Sequence, residues 1–218
     1  GEILFAQRQY REAEAAFTAI AERGPQGANQ YYEPSVYKQG WARFKQDDYD
    51  ASLKSFFALL DRRLGSVPEA QLDARLKAMS RPERELIDDS LRAMALACLN
   101  IGSPKTVGEK LAAHGDPAYG YLLYESLAGI YLKQERYTDV AATLTGFVEA
   151  HPRHPQAPSF QIQAIKAFEA GGFSSQALAL REDYVQRFGL DQPAHQMPEF
   201  VLLGHSDAAM NLDRFLGH

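Results

Sequence analysis

Between residues 36 and 60, apolar side chains recur at spacings of three and four. They fall at Val36, Tyr37, Trp41 and Phe44, then at Tyr49, Leu53, Phe56, Phe57 and Leu60. That period puts each set along one helix face and predicts two amphipathic helices. Asp47 and Asp48 break the pattern between them. Asp48 stands where its carboxylate can accept the unpaired amide hydrogens of the second helix's first turn. A turn this short sends the second helix back antiparallel to the first. Gly40 lies inside the first helix, where glycine forfeits about 1 kcal/mol of helix propensity. A close crossing of two helix backbones would explain it, and would make leucine there far worse than alanine.

The same grammar recurs along the chain. Tyr10 precedes "REAEAAF", Tyr49 "DASLKSF", Tyr137 "TDVAATL" and Phe173 "SSQALAL", with the anchors 39, 88 and 36 residues apart. The longest step is close to two of the others, and self-similarity at roughly 34 to 40 residues marks stacked helical hairpins. Between the second and third copies the pattern changes. Ser80 and Glu83 have capping-box spacing, and Ile87, Leu91, Met94, Cys98 and Ile101 then form one apolar stripe that Gly102 ends. A shorter helix begins at Ser103-Pro104, runs through Val107 and Leu111 and stops at Gly115. These two helices read as a degenerate repeat, and residues 65–80 before them as an inserted loop with a short helix.

Aligned in this way, the copies resemble the tetratricopeptide repeat family. Its pattern is carried by Tyr124, Leu127-Ala128, Tyr131, Tyr137, Val140, Leu144 and Pro152, by Gly1, Leu4, Tyr10, Ala13, Phe17, Ile20 and Pro25, by Val36, Gly40, Tyr49, Ser52, Phe56 and Leu59, and by Phe160, Ala164, Gly171, Phe173 and Leu180. Gln39 and Gln163 depart from it, standing where leucine is usual, while Ala128 and Ala164 take the place of Gly40. The resemblance implies an all-α fold, an α-solenoid of stacked antiparallel hairpins with about four tetratricopeptide-like copies and one degenerate repeat. The expected divisions of this single solenoid are 1–27 (a partial repeat), 32–64, the insertion 65–80, the degenerate repeat 81–115, 117–152, 155–189, and a C-terminal helical segment at 190–218. Gly1 falls on the crossing position, so the expectation is a fragment of a larger protein that continues upstream.

In such a solenoid the first helices line the concave surface, where ligands meet them. The resemblance therefore implies a partner-binding face at Tyr37, Trp41, Phe44 and Lys45, continued by Glu125, Leu132, Lys133, Gln161, Ile165, Phe168 and Glu169. Aromatic anchors among few charges suit an apolar peptide or protein segment. The asparagine-lysine constellation with which some family members clamp a terminal carboxylate is absent. The proline-marked, slightly long repeats look like those of periplasmic or outer-membrane-associated bacterial scaffolds. Alternatives are a cytoplasmic adaptor and the regulatory or substrate-recruiting region of a larger enzyme.

Composition narrows the chemistry further. Of 218 residues, 23 are Lys or Arg and 28 Asp or Glu, a net charge of −5 with Arg62-Arg63 the longest basic run, which disfavours nucleic acid and anionic lipid as partners. No apolar stretch approaches the roughly 20 residues of a membrane span. Cys98, alone of its kind, sits on an apolar stripe and reads as a buried hydrophobe. His151 and His154 lie in a proline-stiffened turn without further ligands, so no metal is expected. The carboxylates Glu83, Glu85, Asp88 and Asp89 fall in the opening turns of a helix, where its dipole favours them. Neither a phosphate loop nor a nucleophile motif is present. No enzyme activity and no cofactor are expected.

Overall fold

The computed structural model describes residues 1–189, so the expected C-terminal segment 190–218 lies outside the described residues. Of the described residues 79% are helical and none is in a strand, against roughly one third helix in an average globular protein. The α-helices are α1 (Glu2–Ala6), α2 (Tyr10–Ala21), α3 (Gly24–Ala28), α4 (Tyr32–Phe44), α5 (Tyr49–Leu64), α6 (Glu69–Ala78), α7 (Arg81–Ile101), α8 (Thr106–Ala113), α9 (Gly120–Lys133), α10 (Tyr137–Ala150), α11 (Ala157–Ala170) and α12 (Ser174–Phe188). Two compact units divide the chain, Gly1–Leu123 and Tyr124–His218. In the first, α1 packs on α2, α2 on α4, α4 on α5, α5 on α7 and α7 on α8; in the second, α10 packs on α11 and α11 on α12. Packing mainly between chain neighbours is compatible with an α-solenoid.

Four interhelical turns share one geometry. Arg8, Asp47, Glu135 and Gly172 adopt left-handed backbone with φ of 62°, 59°, 57° and 78°. The next residue in each case, Gln9, Asp48, Arg136 or Phe173, is the N-cap of the following helix, with φ between −84° and −89° and ψ between 63° and 71°. Its amide donates to the carbonyl five residues back, at Leu4, Arg43, Tyr131 and Phe168. This is the Schellman closure of a helix C-terminus, with a helix starting directly after it. Asp48 adds the expected side-chain cap, accepting from the amide of Ala51 at 3.2 Å.

Counting from the left-handed residue brings the hairpins into register. Five positions on stand Ala13, Ser52, Val140 and Ala177, all buried. By this count the fourth hairpin is displaced by one residue from the alignment on aromatic anchors. Tyr10, Tyr49 and Tyr137 are first residues of their helices, whereas Phe173 is an N-cap. Its double glycine is the cause: Gly172 takes the left-handed position, which glycine fills without a Cβ penalty, and the helix starts one residue later relative to the aromatic. Ala164 then matches Gln39 and Leu127, and the crossing position falls on Ile165.

At that crossing in the second hairpin, a Cβ on Gly40 would lie 2.8 Å from Cζ of Phe56, and in the first a Cβ on Gly1 would lie 2.5 Å from Cε1 of Phe17. Ser52 Oγ donates to the Gly40 carbonyl at 2.9 Å, so α5 rests directly on α4 backbone. Alanine at Gly40 is therefore not the mild change expected from Ala128, because Phe56 is fully buried and must move. Gln39, the departure from leucine, serves a polar seam instead. Its Nε2 donates to Thr18 Oγ1 at 2.7 Å and its Oε1 accepts from Ser55 Oγ at 3.0 Å, while Arg43 bridges Glu14 at 2.8 Å and Ser55 at 2.9 Å. These directional bonds fix α2, α4 and α5 in one register.

The insertion contains the short helix expected of it. It forms α6, whose Leu72 and Leu76 are buried and whose Asp73 accepts from Tyr121 Oη at 2.8 Å. Helix α7 opens with the expected Ser80/Glu83 capping box and buries Ile87, Leu91, Met94 and Cys98, while Ile101 at the stripe's end is exposed. Near the end of α5, Asp61 accepts from Tyr119 Oη at 2.5 Å and lies 2.8 Å from His114 Nε2, whose ring stacks on Phe57 at 3.9 Å. Burial holds the Tyr119 hydroxyl far above its ordinary pKa, so the group is fixed as a donor and the cluster acts as a structural clasp.

Two mid-helix glycines should respond oppositely to alanine. Gly40→Ala incurs overpacking of about 1 to 3 kcal/mol, which the roughly 1 kcal/mol of recovered helix propensity does not cover. Nothing stands within 4 Å of a Cβ built on Gly146 in α10, so Gly146→Ala should stabilise by up to about 1 kcal/mol. Urea melts of the two variants read both signs. A third melt checks the turn geometry: Glu135→Gly, relieving a left-handed non-glycine residue, should stabilise by about 1 kcal/mol.

Candidate protein-binding surface

Helix α4 turns two faces to different surroundings. Val36, Gln39 and Gly40 are buried, and Tyr37, Trp41, Phe44 and Lys45, spaced by three and four, share the other side. The three rings are half-buried and Lys45 is exposed. Tyr37 and Trp41 meet edge to face at 6.4 Å, Trp41 and Phe44 at 5.4 Å. Trp41 also meets the core ring of Phe56 at 6.0 Å. Such edge-to-face pairs contribute roughly 0.5 to 1.5 kcal/mol beyond burial. The indole thus packs against the core with one part and offers the rest outward.

Helix α7 supplies what the sequence pattern did not reveal. Tyr37 Oη donates to Asp89 of α7, and Tyr37 forms one wall of an open groove of about 600 Å³ whose other wall is the α7 run Pro82, Glu85, Leu86, Asp88, Asp89 and Arg92. Glu85 and Asp88 are each held by the arginine four residues before, Arg81 at 2.7 Å and Arg84 at 3.2 Å. The aromatic patch therefore borders a charged groove, a more polar setting than the expected one. Because α7 lies in the stretch read from the sequence as a degenerate repeat, no anchor aligned it with α4. Burial, and then the neighbouring Asp89 carboxylate, push the Tyr37 hydroxyl up to about 12.

The remaining expected site residues lie in the second unit. On α9, Glu125 and Leu132 are half-buried and Lys133 is exposed. On α11, Gln161 is 1% exposed, with its Nε2 donating to the Leu180 carbonyl at 3.1 Å and to Asp183 at 2.8 Å. Ile165 is 8% exposed, and the half-buried Phe168 packs edge to face on Phe173 at 6.0 Å. Gln161 and Ile165 are thus interior residues of the hairpin and not available to a partner. The one-residue displacement of the fourth hairpin is the reason. In the corrected register, Ile162, Lys166 and Glu169 stand where Tyr37, Trp41 and Phe44 stand in the second hairpin. Ile162 is half-buried, while Lys166 and Glu169 are exposed, with Glu169 paired to Arg181. The double glycine was the signal that could have found Ile162 and Lys166.

Elsewhere, His151 and His154 both lie with ring centroids 4.9 Å from that of Phe147. Among the described residues, no group of three or more His, Cys, Asp or Glu is placed to hold a metal ion, and no helix is long and apolar enough to cross a membrane. Burial pushes the Cys98 thiol up to about 12. Neither the family models nor the curated proteins compared with this chain gave a match.

The Tyr37–Asp89 contact carries a pH dependence. A tyrosine whose folded pKa is raised stabilises the fold fully below its unfolded value near 10 and loses that contribution as pH climbs through about 12. The stability difference between the parent chain and Tyr37→Phe should stay constant up to about pH 10 and shrink above it. Denaturant melts across that range would show a flat difference if the hydroxyl were unperturbed.

Proposed function

We propose that this chain is a non-enzymatic interaction scaffold of tetratricopeptide type that holds an apolar segment of a protein partner against α4. The observation that carries the reading is the ring set Tyr37, Trp41 and Phe44. Three aromatics, each half-buried, lie side by side on one helix with Lys45 at their edge and an open groove beside them. Tryptophan and tyrosine are the side chains most enriched at interface hot spots. Edge-to-face packing holds them rigid, so little side-chain entropy is lost on binding. The setting we infer, on the likeness of the proline-marked repeats alone, is an envelope complex on the periplasmic or outer-membrane side of a bacterium.

The site contains its own reporter, since Trp41 is the chain's one tryptophan. Phage-displayed dodecamer peptides should be selected on the immobilised protein and synthesised. Those that bind should be rich in apolar residues, shift the Trp41 emission, and lose about tenfold or more in affinity with Phe44→Ala. Peptides that bind without moving the emission, or a selection without apolar enrichment, would remove the site from α4. Trp41→Ala serves less well as a test, because the contact with Phe56 adds a stability loss to any binding loss.

A further inference from the structure

Tyr37 belongs to two features at once, as the first ring of the α4 patch and as one wall of the groove against α7. The charges on the other wall are unequally partnered. Glu85 and Asp88 are exposed, and each already has its arginine, Arg81 and Arg84. Asp89 is half-buried, and no cation among the described residues pairs with it. Tyr37 Oη donates to its Oδ2, while Oδ1 accepts from no described group. Arg92, three residues further along α7, lines the same groove but is exposed and does not bond Asp89. Taking a carboxylate partly out of water costs free energy that one neutral donor offsets only in part. Asp89 is thus an oriented charge on the groove wall, with one oxygen unused.

We propose that the groove between α4 and α7 takes a basic side chain of the partner segment, an arginine or a lysine, whose cation pairs with Asp89. This rests on the reading of α4 as the surface that holds an apolar segment, and adds to it what must flank the apolar residues. The groove fits such a side chain along its length. Pro82 and Leu86 offer apolar surface to the methylene stem, and the Tyr37 ring beside Asp89 suits a cation that meets a carboxylate and an aromatic together. A metal ion is a poorer occupant, since no group of three or more ligating side chains is gathered among the described residues. The exposed pairs on the same wall contribute little to binding. Asp89, partly desolvated and held by Tyr37, is where a partner's charge gains most.

Selecting the displayed dodecamers in parallel on the full chain and on its Asp89→Asn variant tests this, because asparagine keeps an acceptor for Tyr37 Oη and removes the charge. Peptides from the parent should hold arginine or lysine well above the unselected library. Those from Asp89→Asn should lose that excess and keep their apolar residues. In a peptide selected on the parent, replacing the basic residue with glutamine leaves the protein untouched. That change should weaken binding to the parent about tenfold and leave binding to Asp89→Asn unaltered. Asp88→Asn, whose carboxylate is already held by Arg84, should behave as the parent. No basic excess on the parent, an excess that survives Asp89→Asn, or a glutamine peptide that loses equally on both proteins would each overturn the proposal. A basic excess that depends on Asp89 but comes without apolar enrichment would support the groove assignment and remove the α4 reading instead.

Discussion

The rest of the first unit depends on how closely α4 and α5 approach at Gly40. The Phe56 ring fills the space a Cβ would need, and the ring in turn carries Tyr37 and Trp41 on its other sides, at 6.0 Å each. A helix-propensity deficit of about 1 kcal/mol at one residue is thus linked to where two candidate binding rings stand. Widening the crossing would move Phe56 and with it the floor beneath the aromatic patch. The fold and the proposed binding surface share the same side chain here, which is why Trp41 belongs to both.

Hydrophobic contact alone would leave the hairpins free to slide, since leucine and phenylalanine surfaces are not directional. The seam of Gln39, Thr18, Ser55, Arg43 and Glu14 removes that freedom. Each group has a partner in a neighbouring helix, and a shift by one turn would orphan several of them at about 1 to 3 kcal/mol apiece. The arginines 62 and 63 act similarly at the other end of α4, where both engage Glu33 and Arg63 reaches Glu83 of α7 at 2.9 Å.

How much of this was legible in the sequence depended on which signals are local. Caps and turns are local, so the Asp48 cap, the Ser80/Glu83 box and the hairpin spacing of the first three clear copies could be read directly. The fourth copy was misread because an aromatic anchor was weighed above a glycine pair, although it is the left-handed backbone that sets the register. That displacement of one residue exchanged inner for outer side chains on α11, putting Gln161 and Ile165 where Ile162 and Lys166 belong. The α7 wall of the groove was not legible at all. Its place beside α4 follows from tertiary packing across the insertion, and no periodicity in either helix encodes it.

The corrected register also changes what each hairpin presents at these positions. The second hairpin offers three rings, whereas the fourth offers a half-buried isoleucine, an exposed lysine and a glutamate already paired with Arg181. Rim charges of this exposed kind contribute little affinity and mainly tune encounter rate and partner choice, while half-desolvated rings contribute most of the binding energy. Ile162 adds apolar area, but without the breadth of an aromatic face. Positions equivalent in the repeat are therefore not equivalent in energy. On the proposed reading, the rings of α4 are therefore the source of affinity for an apolar segment, whereas α11 presents at the equivalent positions the exposed Lys166 and Glu169.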